Sequence, residues 1–212
     1  QTPFWGKLGE VSPWLHSEIL KETLADQAGF PKEAFNEFHN VDACIMCGAC
    51  TSACNSLEVS SGFMGPAALA KAYRFVADPR EAGQEKKKRL KALVEPNGIW
   101  DCVRCNFCVE VCPKDVKPME AIIRLRREAL KAGLGDSPAG RHITAFVDIV
   151  KKEGRLNEGL LPLKMLWKSP EKLLQVFPLA LKMWARGKLP FIWHWPIKGI
   201  RSIRKIFKAR GF

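Results

Sequence analysis

Cys44 to Asn55 reads CIMCGACTSACN and Cys102 to Pro113 reads CVRCNFCVEVCP, so the spacing C-x2-C-x2-C-x3-C occurs twice, 58 residues apart. All eight cysteines of the 212-residue chain fall in these two stretches, and none is left for another purpose. Disulfides suit the pattern poorly. Thiols two residues apart bridge badly, and a chain of this length can bury a core without covalent staples. Zinc fits less well than it first seems, because tetrahedral zinc sites usually gather two C-x2-C pairs across a longer loop. Three thiols at a strict three-residue step, with a fourth just behind, are what an iron-sulfur cube needs: three thiolates around one part of the cluster and one arriving from elsewhere.

The same spacing is the ligand run of bacterial-type ferredoxins, in which the fourth cysteine of each run ligates the other cluster. Applied here, it predicts two 4Fe-4S clusters. One is held by Cys44, Cys47, Cys50 and Cys112, the other by Cys102, Cys105, Cys108 and Cys54. Pro113 follows the second run and turns the chain away, whereas Asn55 stands at that place in the first run and leaves its turn open. Gly48, between two ligands, reads equally as a turn glycine or as a site of close backbone approach. Trp100 and Phe107 are placed either to shield a cluster or simply to pack. Arg104 and Lys114 flank ligands, where positive charge favours the reduced cluster. His39, five residues before Cys44, reads as an ordinary histidine rather than a cluster contact, and His16, His142 and His194 are scattered.

Charge divides the chain. The net charge is +12, from 34 basic and 22 acidic residues. Residues 151–212 hold 15 Lys or Arg and 3 Asp or Glu, so the tail alone carries +12 and residues 1–150 are neutral. The basic tail points to an acidic protein surface, anionic lipid or nucleic acid. The longest apolar stretches are interrupted by Lys, Arg or Pro every few residues, short of the roughly 18 to 20 residues of a membrane helix. No secretory signal opens the sequence, and free thiolates imply a reducing compartment, so a cytoplasmic protein, peripheral at most on the membrane, is expected.

Helical signals dominate. In the lead-in, residues 1–39, SPWLHSEILKETLADQAGF offers Ser12 as an N-cap, Pro13 at the first helical position and Gly29 as a stop. Between the runs, Pro66 opens a helix with Leu69, Tyr73 and Val76 on one face and Lys71, Arg74 and Asp78 on others. A second helix spans about 84 to 94 and ends at Pro96 and Gly98. Pro118 opens another, closed by Gly133. The expected fold is all-α: a helical ferredoxin module with two cluster-binding loops over 40–135, followed by an extended helical basic tail over 136–212. In the tail, Pro162, Pro170, Pro178, Pro190 and Pro196 predict pieces of about two turns. Short pieces bearing Trp and Phe among Lys and Arg suit docking on a partner protein, with contact to a lipid surface as the alternative.

CIMCGACTSAC, GPAALAKAYRFVADPRE and DCVRCNFCVEVCPKDVKPMEAI resemble the helical ferredoxin domain shared by iron-sulfur subunits of succinate dehydrogenase, fumarate reductase and heterodisulfide reductase, over about residues 40–132. In that group the succinate dehydrogenase type has a non-cysteine at the position of Cys105, which gives a 3Fe cluster, and a 2Fe-2S domain upstream. With Cys105 present, no upstream cysteine and a similar tail, the chain most resembles the C-type iron-sulfur subunit of heterodisulfide reductase and its relatives in sulfur-oxidising complexes. The resemblance implies an electron relay without a catalytic site of its own, passing electrons between a flavin-containing subunit and a CCG-motif catalytic subunit of a heterodisulfide-reductase-like complex. The alternative is the equivalent relay of a fumarate reductase, glycerol-3-phosphate dehydrogenase or glycolate oxidase type complex linked to quinone. A zinc-stabilised binding protein with its tail on nucleic acid is the outlying reading, and nucleic acid is not expected as a partner. The chain has no Cys-Cys pair, no G-x-G-x-x-G and no G-x4-G-K-[ST], so catalytic CCG chemistry and nucleotide binding have no footing in it.

Overall fold

The computed structural model describes residues 2–16, 40–188 and 194–209. Every regular element among them is helical. The chain divides into two compact units, Gln1–Leu134 and Gly135–Phe212.

The first unit is built on two helices that open with proline. Helix α4 (Pro66–Val76) and helix α7 (Pro118–Lys131) each place proline in the first turn, where no amide hydrogen is missed and φ is already helical. Leu69, Tyr73 and Val76 are buried as their spacing requires, against Ile122 and Leu125 of α7 and Leu90 and Leu93 of α5 (Gly83–Val94). Helix α5 stops at a close approach: a Cβ on Gly98 would lie 2.0 Å from the Leu93 carbonyl oxygen, so only glycine fits. Gly133, at φ +76°, follows α7 as expected.

Three expectations need correction. The first concerns the N-terminus, where the described helix is α1 (Thr2–Glu10), ahead of Ser12 and Pro13. Ser12 lies beyond its end at φ +49°, and Gly29, like His39, lies outside the described residues. Tertiary contacts hold α1 in place despite Gly6 and Gly9: Leu8 and Val11 are buried, and Lys7 Nζ donates to the carbonyls of Ser61 and Phe63 at 2.5 and 2.6 Å.

The second concerns Asp78, which is buried rather than on an outer face. Burial opposes its ionisation, but hydrogen bonds from Arg80 and Arg74 outweigh it and hold the carboxyl at about 2. Nearby, Arg89 pairs with Glu81 at 2.8 Å and donates to the carbonyls of Val11, Ser12 and Trp14, which fixes the chain leaving α1.

The third concerns the tail. In the second unit, α8 (Pro138–Glu153) is capped by Ser137, whose Oγ accepts from the Gly140 amide at 3.0 Å, and is followed by α9 (Leu160–Leu166). Pro178 does not cut the next helix: α10 runs without interruption over Pro170–Ala185, with Pro178 inside it. The proline costs one backbone hydrogen bond, which fifteen neighbours of mostly good helix propensity tolerate. Helix α11 (Ile200–Ala209) packs on α8, where Arg204 donates to the carbonyls of Lys151 and Lys152. Lys164 and Asp148 form an ion pair between α9 and α8.

Candidate functional site: two four-cysteine cavities

The two cysteine runs fold almost identically. A single 3-10 turn precedes each, Val41–Ala43 and Ile99–Asp101, with Val41 and Ile99 buried beneath. Cys44 and Cys102 follow in extended conformation at φ −63° and −69°. The next-but-one residues, Met46 and Arg104, take positive φ of 56° and 58°. Gly48 and Asn106 do so again at 78° and 72°, then each loop closes with a one-turn helix, α2 (Ala49–Ser52) or α6 (Phe107–Glu110). Alternating left-handed residues coil each loop so that cysteines three apart face the same hollow; glycine and asparagine are the residues that accept this conformation most readily. Gly48 is therefore a turn glycine, and a Cβ there would meet nothing within 4 Å.

Past the fourth cysteine the loops diverge. Asn55 begins a short helix, α3 (Asn55–Val59), while Pro113 leads through Lys117 into α7. Each exit is tied to the start of the other loop. Ser56 Oγ donates to the Asp101 carbonyl at 2.9 Å, and Asn40 Nδ2 donates to the carbonyls of Lys114 and Asp115 at 2.7 and 3.2 Å.

That crossing determines which thiols meet. One cavity is lined by Cys44, Cys47, Cys50 and Cys112, with Met46, Ala67, Ala70, Lys114 and Val116 around them. The other is lined by Cys54, Cys102, Cys105 and Cys108, with Ser56, Phe63, Arg104, Met119 and Ile122. Each thus takes three cysteines from one run and the fourth from the other. The first turns of α4 and α7 contribute Pro66 and Ala67, and Pro118 and Met119, so the positive ends of both helix dipoles face the thiols.

Burial pushes the Cys50 thiol up to about 11, with Cys44, Cys112 and Cys47 adding their repulsion. Burial pushes Cys108 to about 12, aided by Cys102, Cys50 and Cys105. Four thiolates in either cavity therefore require a compensating cation. Among the described residues no three His, Cys, Asp or Glu side chains are drawn together as one metal ion would need, and four cysteines spread round a hollow suit a polynuclear core better. The donor set fits an iron-sulfur cluster.

The second loop has a feature that spacing did not reveal. Arg126 of α7 is buried, and its guanidinium donates to the carbonyls of Ile99, Trp100 and Cys102 at 2.7, 3.1 and 2.7 Å. Burial pulls its pKa down and the neighbouring Cys102 offsets this in part, yet a guanidinium stays cationic. The available signal was an arginine on the apolar stripe of Ile122, Leu125 and Ala129. Arg104 and Lys114 line the second and first cavities as their positions suggested. Phe107 and Trp100 line neither: Phe107 is largely exposed, and Trp100 stacks under Arg126 at 5.6 Å. His16 and His142 line neither cavity, and His142 Nδ1 contacts the Met165 sulfur in the second unit. Cys47 is exposed, and beside it a cleft of about 340 Å³ opens between Phe4, Trp5, Met46, Thr51 and Ser52.

Residues 40–116 match the family described as 4Fe-4S dicluster domain. The chain carries an iron-sulfur dicluster domain. It is similar to the 8-methylmenaquinol:fumarate reductase iron-sulfur subunit of Wolinella succinogenes, with 36% identity over 162 residues, 74% of this chain and 49% of the relative. The fumarate reductase iron-sulfur subunit of Haemophilus influenzae is 39% identical over 115 residues, 54% of this chain and 43% of that protein. The succinate dehydrogenase iron-sulfur subunit of Coxiella burnetii is 33% identical over 135 residues, 60% and 53% respectively. The chain spans about half the length of these curated relatives. They favour the fumarate reductase and succinate dehydrogenase branch of the resemblance over the heterodisulfide reductase branch.

Proposed function

We propose that this chain is a two-cluster electron relay, the iron-sulfur subunit of a fumarate reductase type oxidoreductase complex linked to quinone. Cys44, Cys47, Cys50 and Cys112 hold one 4Fe-4S cluster, and Cys102, Cys105, Cys108 and Cys54 hold the other. The observation that carries this reading is the crossed lining of the two cavities, four cysteines each. A bound 4Fe-4S cluster supplies one-electron transfer.

The chain's own residues do the rest. Ala67, Ala70, Val116, Phe63 and Ile122 keep water from the buried side of the sites. The starts of α4 and α7, together with Arg104, Arg126 and Lys114, offset the negative charge that reduction adds. The exposed edge at Cys47 is where one partner's redox group would come nearest to the first site.

Cys105 favours a second reading. It completes the second run, unlike the succinate dehydrogenase type of the resemblance, and so keeps a heterodisulfide-reductase-like relay in view. Anaerobic purification with the native partners decides between them. A flavin subunit of the fumarate reductase class co-purifying with about eight irons per chain is the expected result. Co-purification with a CCG-motif subunit supports the second reading, and a chain without iron or sulfide overturns both.

A further inference from the structure

We propose that the second unit binds an anionic lipid bilayer, with α10 lying in its interface. None of the 16 residues of α10 is buried. Glu171, Gln175 and Lys182, at steps of four and seven, share one narrow side. Leu173, Leu174, Phe177, Leu181 and Trp184 fill the opposite side, and Val176 and Met183 extend it to an apolar arc of roughly 200°. Leu174 is 75% exposed, Phe177 60% and Trp184 70%. A helix that packs on one protein face needs a stripe of only about 100°. The arc of α10 is wider than one such face covers, and an isotropic apolar medium covers it all.

Charge narrows the occupant further. Residues 172–212 contain ten Lys or Arg and no Asp or Glu. Helix α11 turns its apolar side to α8 and keeps Arg201, Lys205 and Lys208 exposed. An apolar layer beneath a sheet of negative charge is the chemistry of an anionic bilayer, and basic residues beside an interfacial helix draw it there. The exposed indoles of Trp167, Trp184 and Trp195 have the amphipathic form that settles at headgroup depth. Length sets the mode. At 16 residues α10 measures about 24 Å, below the roughly 30 Å of a hydrocarbon core, and no described helix is long and apolar enough to cross a membrane. Helix α10 therefore lies on the bilayer.

Flotation of the full, cluster-loaded chain with vesicles tests this, using phosphatidylcholine alone and phosphatidylcholine mixed with phosphatidylglycerol. Recovery with the anionic vesicles should exceed that with the neutral ones at least about tenfold and fall as salt is raised. Leu174→Glu with Phe177→Glu should abolish it while the visible absorbance of the clusters is unchanged. If that variant loses absorbance, Leu174→Ser with Trp184→Ser takes its place. Equal recovery on both vesicles, no recovery, or binding that the substitutions leave intact overturns the proposal. So does a wild-type chain that ignores vesicles but dimerises, or holds a partner protein, through Leu174 and Phe177. Cluster content is measured on the same sample, so failure of the lipid proposal is distinct from failure of the relay.

Discussion

The two cysteine loops share a backbone and differ in what surrounds it. Met46 and Arg104 occupy the same left-handed position between ligands, one a thioether and the other a cation. Beneath the second loop lies the Arg126 guanidinium, gripping three carbonyls, whereas the Asn40 amide ahead of the first loop reaches across to the Lys114 and Asp115 carbonyls past the second run. Cys47 is exposed and Cys108 is buried. Ligand spacing thus specifies a fold for the loop, while charge and solvent access are set separately by residues outside the spacing. In the proposed relay the two sites are expected to differ in potential, with the second one higher.

The largest effect tests the crossing itself. Cys112→Ser should cost the cluster of Cys44, Cys47 and Cys50, and Cys54→Ser the cluster of Cys102, Cys105 and Cys108, each taking iron from about eight towards about four per chain. Cluster-resolved EPR with iron and sulfide assays reads this. Loss of the cluster in the same run as the substituted cysteine would show that the ligands do not cross.

Next comes Arg126. Arg126→Met removes three hydrogen bonds made by a buried charged donor and should destabilise the second loop by about 2 to 4 kcal/mol. The second cluster should then release iron to a chelator much faster than the first. Arg126→Lys should recover the charge but not the fork of bonds. Equal sensitivity of the two clusters would remove the asymmetry between the loops.

A smaller effect is expected from exchanging the matching side chains. Met46→Arg should raise the potential of the first cluster and Arg104→Met should lower that of the second, each by roughly a few tens of millivolts, in EPR-monitored redox titrations. Shifts of the same sign in both variants would mean that solvent access, not charge, separates the sites.

The smallest change concerns backbone alone. Gly48→Ala should cost about 1 kcal/mol in chemical denaturation, since φ is +78° but the space is open. Asn106→Gly at the equivalent place should be within a few tenths of neutral.

Much of this architecture is legible in residue order. The cysteine steps mark the eight thiols that line the two cavities, and Pro66 and Pro118 mark the helices whose ends face them, because proline at a first turn and thiols at a fixed step are local constraints. What stays hidden depends on distant partners. Gly6 and Gly9 argue against a helix that Leu8, Val11 and Lys7 nonetheless stabilise from outside. Asp78 reads as a charge on an outer face, and residue order does not show which carbonyls take Arg126 into the interior, since those groups are on a neighbouring turn or remote in sequence. Pro178 is a strong local breaker and is still absorbed, because one lost bond is small against a whole helix.

The crossing also bears on how the protein is made. In the crossed arrangement the first site is not complete until Cys112 has left the ribosome, 62 residues after Cys50, and the second, begun at Cys54, is not complete until Cys108. At about 5 to 20 residues per second, the first three thiols wait roughly 3 to 12 s for their fourth. During that interval they form an open, oxidisable trio, so delivery of iron and sulfide is best timed to follow release of α4 and α5, and a chain stalled between the two runs would be left with no finished cofactor.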